Sequence, residues 1–121
     1  VVLLGHSYGG MVITQVADRI PEKIAALVYL DAFVPEDGQS LFDLNIPANT
    51  KMFLDRAGQN GGLLIPPPPA KAYFGVNDAD AARVDVLAAP HPVGTMIEEV
   101  KLTGAYRGVK KNVYVHGAVL P

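Results

Sequence analysis

The pentapeptide Gly5-His6-Ser7-Tyr8-Gly9 is the part of this chain whose residue types and spacing point most directly to chemistry. It fits Gly-x-Ser-x-Gly, in which a serine sits on a very tight turn between a strand and a helix. Such a turn lifts the hydroxyl clear of the backbone, where it can attack an electrophilic carbon. The residues two before and two after the serine approach each other closely, so glycine at both is expected to remove a clash. The strained serine backbone is tolerated because strand and helix hold it from both sides. The backbone N–H of Tyr8, at the head of the helix, then points to where charge develops on an attacked carbonyl oxygen. By composition alone, such a match arises in a chain of this length about 1 time in 25.

The flanking elements sharpen that signal. Val1-Val2-Leu3-Leu4, closed by Gly5, is an apolar run expected to form a strand buried on both faces. In the following stretch Met11, Val12, Val16 and Ile20 recur near helical spacing, with Gln15, Asp18 and Arg19 on the other side. Pro21 ends that helix, because proline disfavours the α conformation in the residue before it. Ile24 to Leu30 is a second apolar run without polar alternation, so strand, helix and strand predict a βαβ unit with parallel pairing. The alternative is a plain strand-to-helix turn that cradles a phosphate on Gly9 and Gly10. It lacks both Gly-x-Gly-x-x-Gly and the phosphate-loop lysine, and the serine turn is preferred.

From Val34 onward the character changes. All prolines except Pro21 and Pro121 lie between 35 and 103, in a stretch of weak periodicity. Pro66 to Pro69 predict a stiff polyproline II segment after the glycines at 58, 61 and 62. A short helix is expected over Ala79 to Ala88, with Asp78 as its N-cap. Val113 to Gly117 then reads as a third strand. Three strands, two of them suited to burial on both faces, have too few partners to bury them.

Composition excludes several classes. A chain of 121 residues allows one domain. With 50% hydrophobic and 18% charged residues it is not intrinsically disordered. A formal charge of -2 argues against a nucleic-acid partner. The absence of cysteine removes disulfides, thiolate metal sites and cysteine nucleophiles. The longest apolar run, Ile24 to Leu30, is too short to cross a bilayer. His6, His91 and His116 form no close-spaced ligand pair, Asp78-x-Asp80 lacks the rest of a calcium loop, and Lys110-Lys111 is a solvated pair.

Gly5 to Met11, Pro21-Glu22-Lys23-Ile24 and Leu30 to Gly38 together resemble bacterial α/β-fold hydrolases related to the plant hydroxynitrile lyase and methylesterase branch. The similarity extends through Pro90-His91-Pro92 and Leu102 to Tyr106. The resemblance implies an α/β-hydrolase fold with a partial parallel sheet. Residues 1–34 would be core, 35–103 an inserted cap or lid, and 104–121 a return to the core. It implies Ser7 as nucleophile and the Tyr8 amide as oxyanion donor. In that family the acid commonly follows the next core strand and the histidine base follows the strand after it. No aspartate or glutamate occurs here after Glu99, so acid, base and second oxyanion donor have no matching position. The chain is therefore expected to be part of a longer sequence and inactive by itself.

Four other residues are candidates for the vacant roles: Asp31, His6, His91 and His116. Asp31 ends the second strand on the same sheet edge as Ser7, where some α/β-hydrolases carry their acid; a loop aspartate capping a turn is the preferred reading. His6 is expected to pack locally and His91 to fix a lid loop. His116 follows the third strand and is a minor candidate for the base. Phe53, Tyr73 and Phe74 either line a substrate pocket or pack ordinarily, the latter being preferred. The expected function is hydrolysis of a small ester or related carbonyl compound through an acyl-enzyme. The alternatives are a lyase of the hydroxynitrile type and a non-catalytic binding protein of the same fold. The expected partner is a small-molecule substrate, with no cofactor, metal, nucleic acid or membrane, and the expected location is cytoplasmic. Any signal peptide would lie upstream of Val1.

Overall fold

The computed structural model describes residues 1–117. In chain order the elements begin with β1 (Val2–Ser7), α1 (Gly9–Arg19), β2 (Ala26–Ala32), α2 (Leu41–Leu44), α3 (Pro47–Gly58) and β3 (Leu64–Ile65). They continue with α4 (Ala70–Phe74), α5 (Asp78–Leu87), β4 (His91–Pro92), α6 (Val93–Ile97) and β5 (Asn112–Val115), with 3-10 turns at Pro21–Lys23 and Ala105–Gly108. Contacts gather the described residues into two compact units: the first is Val1–Asn45 together with residues 97–117, and the second is Ile46–Met96.

The first unit contains the βαβ unit that the apolar runs predict. β1 and β2 pair in parallel through α1, and β5 joins the other edge of β2, giving the order β1-β2-β5. Central position explains burial: Leu27 of β2 is fully buried, with Ala26, Tyr29 and Ala32 nearly so. β1 departs from the expected burial on both faces, since Val2 and Leu4 are 62% and 60% exposed. It is an edge strand, and these two residues share a face that no described element covers. All four residues of β5 are likewise exposed.

The buried face of α1 also differs from the expected stripe. It comprises Gly10, Met11, Ile13, Thr14, Ala17 and Asp18, whereas Val12 and Ile20 face outward. Backbone proximity decides this, because the helix is seated on the strands through its small residues. The Thr14 hydroxyl accounts for its own burial by donating to the Gly10 carbonyl at 2.8 Å, and it also meets the Tyr29 hydroxyl at 2.8 Å. Burial raises the Tyr29 hydroxyl above its ordinary pKa; the Thr14 contact opposes this and Tyr106 adds to it.

Asp18, expected on the outer side, is buried and organises the return of the chain. Its carboxylate accepts from the Thr103 amide at 2.7 Å, the Thr103 hydroxyl at 3.1 Å and the Tyr106 amide at 3.2 Å. Burial by itself would raise its pKa, but the Thr103 and Tyr106 donors hold it below the ordinary carboxylate value. The stabilisation is therefore fully present above the unfolded value of about 3.9 and is lost as pH falls through the lower folded value. Asp18→Asn should destabilise the protein by about 2–3 kcal/mol near neutral pH, since charge-assisted bonds are replaced by neutral ones with one donor misdirected. Denaturant midpoints measured from pH 7 down to acid should converge for the two proteins. Parallel curves at every pH would contradict the assignment.

The insertion predicted over 35–103 is wider than the second unit. Its flanks belong with the sheet: the Leu102 amide donates to Asp37 Oδ1 at 2.8 Å, and Gly38 and Val100 exchange backbone bonds with neighbours there. Within 46–96, the Arg56 guanidinium donates to the carbonyls of Pro66 and Pro67, which no ladder satisfies. The proline run ends in α4, whose first amide, on Ala70, donates to Asp85 Oδ1 at 2.7 Å. β3 and β4 pair antiparallel through Leu64 with Pro92 and Ile65 with His91. The N-cap of α5 is Asn77, whose side chain accepts from the Asp80 amide, so Asp78 is the first helical residue and not the cap. Residues 118–121, the end of the predicted core return, lie outside the described residues.

Candidate active site

Ser7 ends β1, Tyr8 is the N-cap of α1 and Gly9 its first residue, so strand becomes helix across a single position. Ser7 has φ +52°, in the left-handed region that a side chain disfavours. An added Cβ at Gly5 would stand 2.6 Å from both the carbonyl carbon and oxygen of Gly9, so glycine is obligatory there. An added Cβ at Gly9 meets nothing within 4 Å among the described residues, so these residues require glycine for clearance at Gly5 and not at Gly9, where the sequence led us to expect both. Gly10 is tighter still, since a Cβ there would lie 1.9 Å from the Phe33 carbonyl oxygen. α1 thus leans on the backbone just beyond β2, and the second glycine of Gly9-Gly10 is the signal that sequence reading passed over.

The end of β2 is shaped to match. His6 pairs with Leu30 and Ser7 with Ala32, so Asp31 is the extra residue of a bulge beside the serine. Asp31 has φ +44°; it and Ser7 are the two described non-glycine residues with positive φ. The Phe33 amide donates to the Ser7 carbonyl at 3.1 Å, closing the bulge against β1. From the other side, the Tyr114 hydroxyl donates to the Ala32 carbonyl at 3.1 Å. His116 Nδ1 stands 3.3 Å from Asp31 Oδ1. The two weaker candidates of the sequence, far apart in number, therefore meet at the same sheet edge.

The Ser7 hydroxyl has no hydrogen-bond partner among the described residues, and His6, one residue before it, is exposed on β1. His91 lies in the second unit, where its Nε2 stands 2.6 Å from the Thr95 hydroxyl. In the same unit Tyr73 and Phe74 make an edge-to-face pair with centroids 4.8 Å apart, and Phe74 is exposed. A cavity of about 360 Å³ lies on the β2–β5 side of the first unit, lined by Tyr29, Val34, Tyr106 and Tyr114 among others; no elbow residue borders it. No group of three metal-ligating side chains gathers among the described residues. None of the described helices is long and apolar enough to cross a membrane.

A strained serine between a parallel strand and a helix, next to a bulged strand end, defines the core of an α/β-hydrolase-type fold. The family model described as the alpha/beta hydrolase family matches residues 1–118, and the chain belongs to that family. It is 41% identical over 123 residues to a carbendazim hydrolyzing esterase of Nocardioides sp. (strain SG-4G), covering 95% of this chain and 50% of that protein. It is 30% identical over 129 residues to the putative chloroplastic methylesterase 14 of Arabidopsis thaliana, covering 95% of this chain and 37% of that one. A solved extracellular alpha/beta-hydrolase from a Paenibacillus species superposes with a TM-score of 0.80 at 30% identity, covering 93% of this chain and 49% of that one. The chain thus spans half or less of the length of these relatives.

Proposed function

We propose that the whole protein is a serine-nucleophile hydrolase of small esters or related carbonyl compounds. The observation that carries this reading is the elbow: a serine at φ +52° between β1 and α1, with Gly5 packed against the Gly9 carbonyl. Relatives named as esterases at 41% and 30% identity support an ester as the substrate class.

In this reading Ser7 Oγ attacks the carbonyl carbon while its proton passes to an imidazole base. The carbonyl π electrons move to oxygen, and the Tyr8 amide at the head of α1 stabilises that oxyanion. The C–O bond to the leaving alcohol breaks, and the alcohol departs with the proton from the imidazolium. Water, deprotonated by the same imidazole, then attacks the acyl-serine; the bond to Ser7 Oγ breaks, the imidazolium returns its proton to Oγ, and the acid is released. Ester and water become acid and alcohol, with no cofactor in the balance. Within the insertion over 35–103, the compact unit 46–96 serves as the cap. The substrate is a small molecule.

The test is covalent labelling of the whole protein by an activated phosphonate, with Ser7→Ala as control. Labelling at Ser7 that vanishes in the variant is the expected result. Unchanged labelling in the variant, or none in either, would favour a binding protein on the same fold. For the 121-residue chain alone, the expected result is ester turnover no higher than its Ser7→Ala control, because no base stands against the serine hydroxyl among the described residues.

A further inference from the structure

We propose that Tyr114 is a remote positioning residue for the oxyanion donor: its hydroxyl orients, through two successive peptide groups, the Tyr8 N–H that meets the developing negative charge. The inference rests on the serine reading above and gives β5 a part in it that needs no contact with substrate. The geometry is a chain of hydrogen bonds. The Tyr114 hydroxyl donates to the Ala32 carbonyl at 3.1 Å. The N–H of that same peptide group belongs to Phe33 and donates to the Ser7 carbonyl at 3.1 Å. The Ser7 carbonyl in turn shares its planar peptide group with the Tyr8 N–H. Two rigid planes, each entered by one hydrogen bond, therefore join the Tyr114 phenol to the amide at the head of α1.

The pairing between β2 and β5 ends at Leu30 with Val115, so the Ala32 carbonyl lies beyond that ladder and a side chain reaches it where β5 does not. The linked peptides adjoin the two strained residues, Ser7 at φ +52° and Asp31 at φ +44°, whose conformations persist only where neighbours fix them. From the helix side, a Cβ at Gly10 would lie 1.9 Å from the Phe33 carbonyl oxygen, so α1 rests on the backbone that Tyr114 holds. A bond accepted at the Ala32 oxygen also polarises its peptide and strengthens the Phe33 N–H as a donor. The same step repeats at Ser7 and Tyr8, in the sense that favours negative charge beyond Tyr8. Tyr29 is a matched neighbour: it pairs with Tyr114 in register, but its hydroxyl meets Thr14 at 2.8 Å and stands outside this chain of bonds.

The experiment compares Tyr114→Phe, Tyr29→Phe and Ser7→Ala in the whole protein, by ester kinetics, thermal melting and inhibition by an aryl trifluoromethyl ketone. Ser7 Oγ adds to the ketone carbon, its proton passes to the base, and the negative charge settles on the former carbonyl oxygen. The inhibition constant therefore reads the oxyanion contact with no leaving group involved. For Tyr114→Phe the expected result is a fall in kcat of about 3- to 20-fold with KM within about twofold, and ketone binding weakened by the same factor. The loss stays below the roughly 10²- to 10³-fold cost of deleting an oxyanion donor, because the Tyr8 amide itself remains. Tyr29→Phe should melt lower yet keep kcat and ketone affinity within about twofold. A fall in kcat smaller than about threefold for Tyr114→Phe, a change confined to KM, or an equal loss in Tyr29→Phe overturns the assignment. Should Tyr114→Phe fail to fold, Tyr114→3-fluorotyrosine decides at mildly acid pH, where the phenol stays protonated. Its stronger donor should tighten ketone binding, and unchanged or weaker binding overturns the assignment. If the wild type forms no ketone adduct, or Ser7→Ala keeps full activity, the serine reading falls first and the role of Tyr114 falls with it.

Discussion

Ester hydrolysis by the whole protein is expected to drop about 10⁴- to 10⁶-fold when Ser7 becomes alanine, measured as kcat/KM on a chromogenic acetate. The size follows from what is removed. In the mechanism proposed above, removal of Oγ prevents the acyl-enzyme from forming and leaves only the amides and bound geometry to aid direct attack by water. Ser7→Gly should lose activity to the same extent yet be more stable than wild type by up to about 1 kcal/mol, because glycine adopts φ +52° without a Cβ clash. The pair of variants separates chemistry from strain: activity falls in both, and stability rises only in the glycine variant. Residual hydrolysis within tenfold of wild type in either variant would remove Ser7 from the reaction.

Gly10→Ala is expected to have the largest effect on stability, a loss of about 3 kcal/mol or more. The new methyl would lie 1.9 Å from the Phe33 carbonyl oxygen and 3.0 Å from the Ala32 Cβ. Neither atom can yield cheaply, since Ala32 and Phe33 belong to the bulge that is bonded to Ser7 and Tyr114. Relief therefore requires α1 to lift from the end of β2, which drags the Tyr8 amide and Ser7 out of line. Gly9→Ala is the internal control. The described residues leave its Cβ direction open, and alanine suits a helix, so its stability should stay within about 0.5 kcal/mol of wild type. Equal losses for the two variants in chemical denaturation would refute the packing account.

Local features were readable because local physics sets them. The turn from Gly5 to Gly9, the stop at Pro21 and the parallel pairing of two apolar runs each follow from residue type within a few positions. The buried face of α1 is not legible in the sequence because Val12, Val16 and Ile20 are as apolar as Met11 and Ile13, which are buried. What selects the buried side is which face can approach the strands, and that depends on Gly10 and Ala17 being small. An acidic residue in the last turn of a helix opposes the helix dipole, and that was the available sign that Asp18 has other partners. Its donors are 85 and 88 residues away in sequence, out of reach of any periodicity argument.

The sequence by itself determined the class of the fold, the position of the serine elbow and the candidate nucleophile, because a strand, a tight turn and a helix are specified by neighbouring residues. Only the tertiary structure decided what surrounds that serine. The bulge at Asp31, the grip of Tyr114 on Ala32, the approach of His116 to Asp31 and the need for glycine at 10 all arise where separate strands end side by side. Register between paired strands is a property of the assembled sheet, so a one-residue bulge that turns a carboxylate toward an imidazole leaves no mark in composition or spacing.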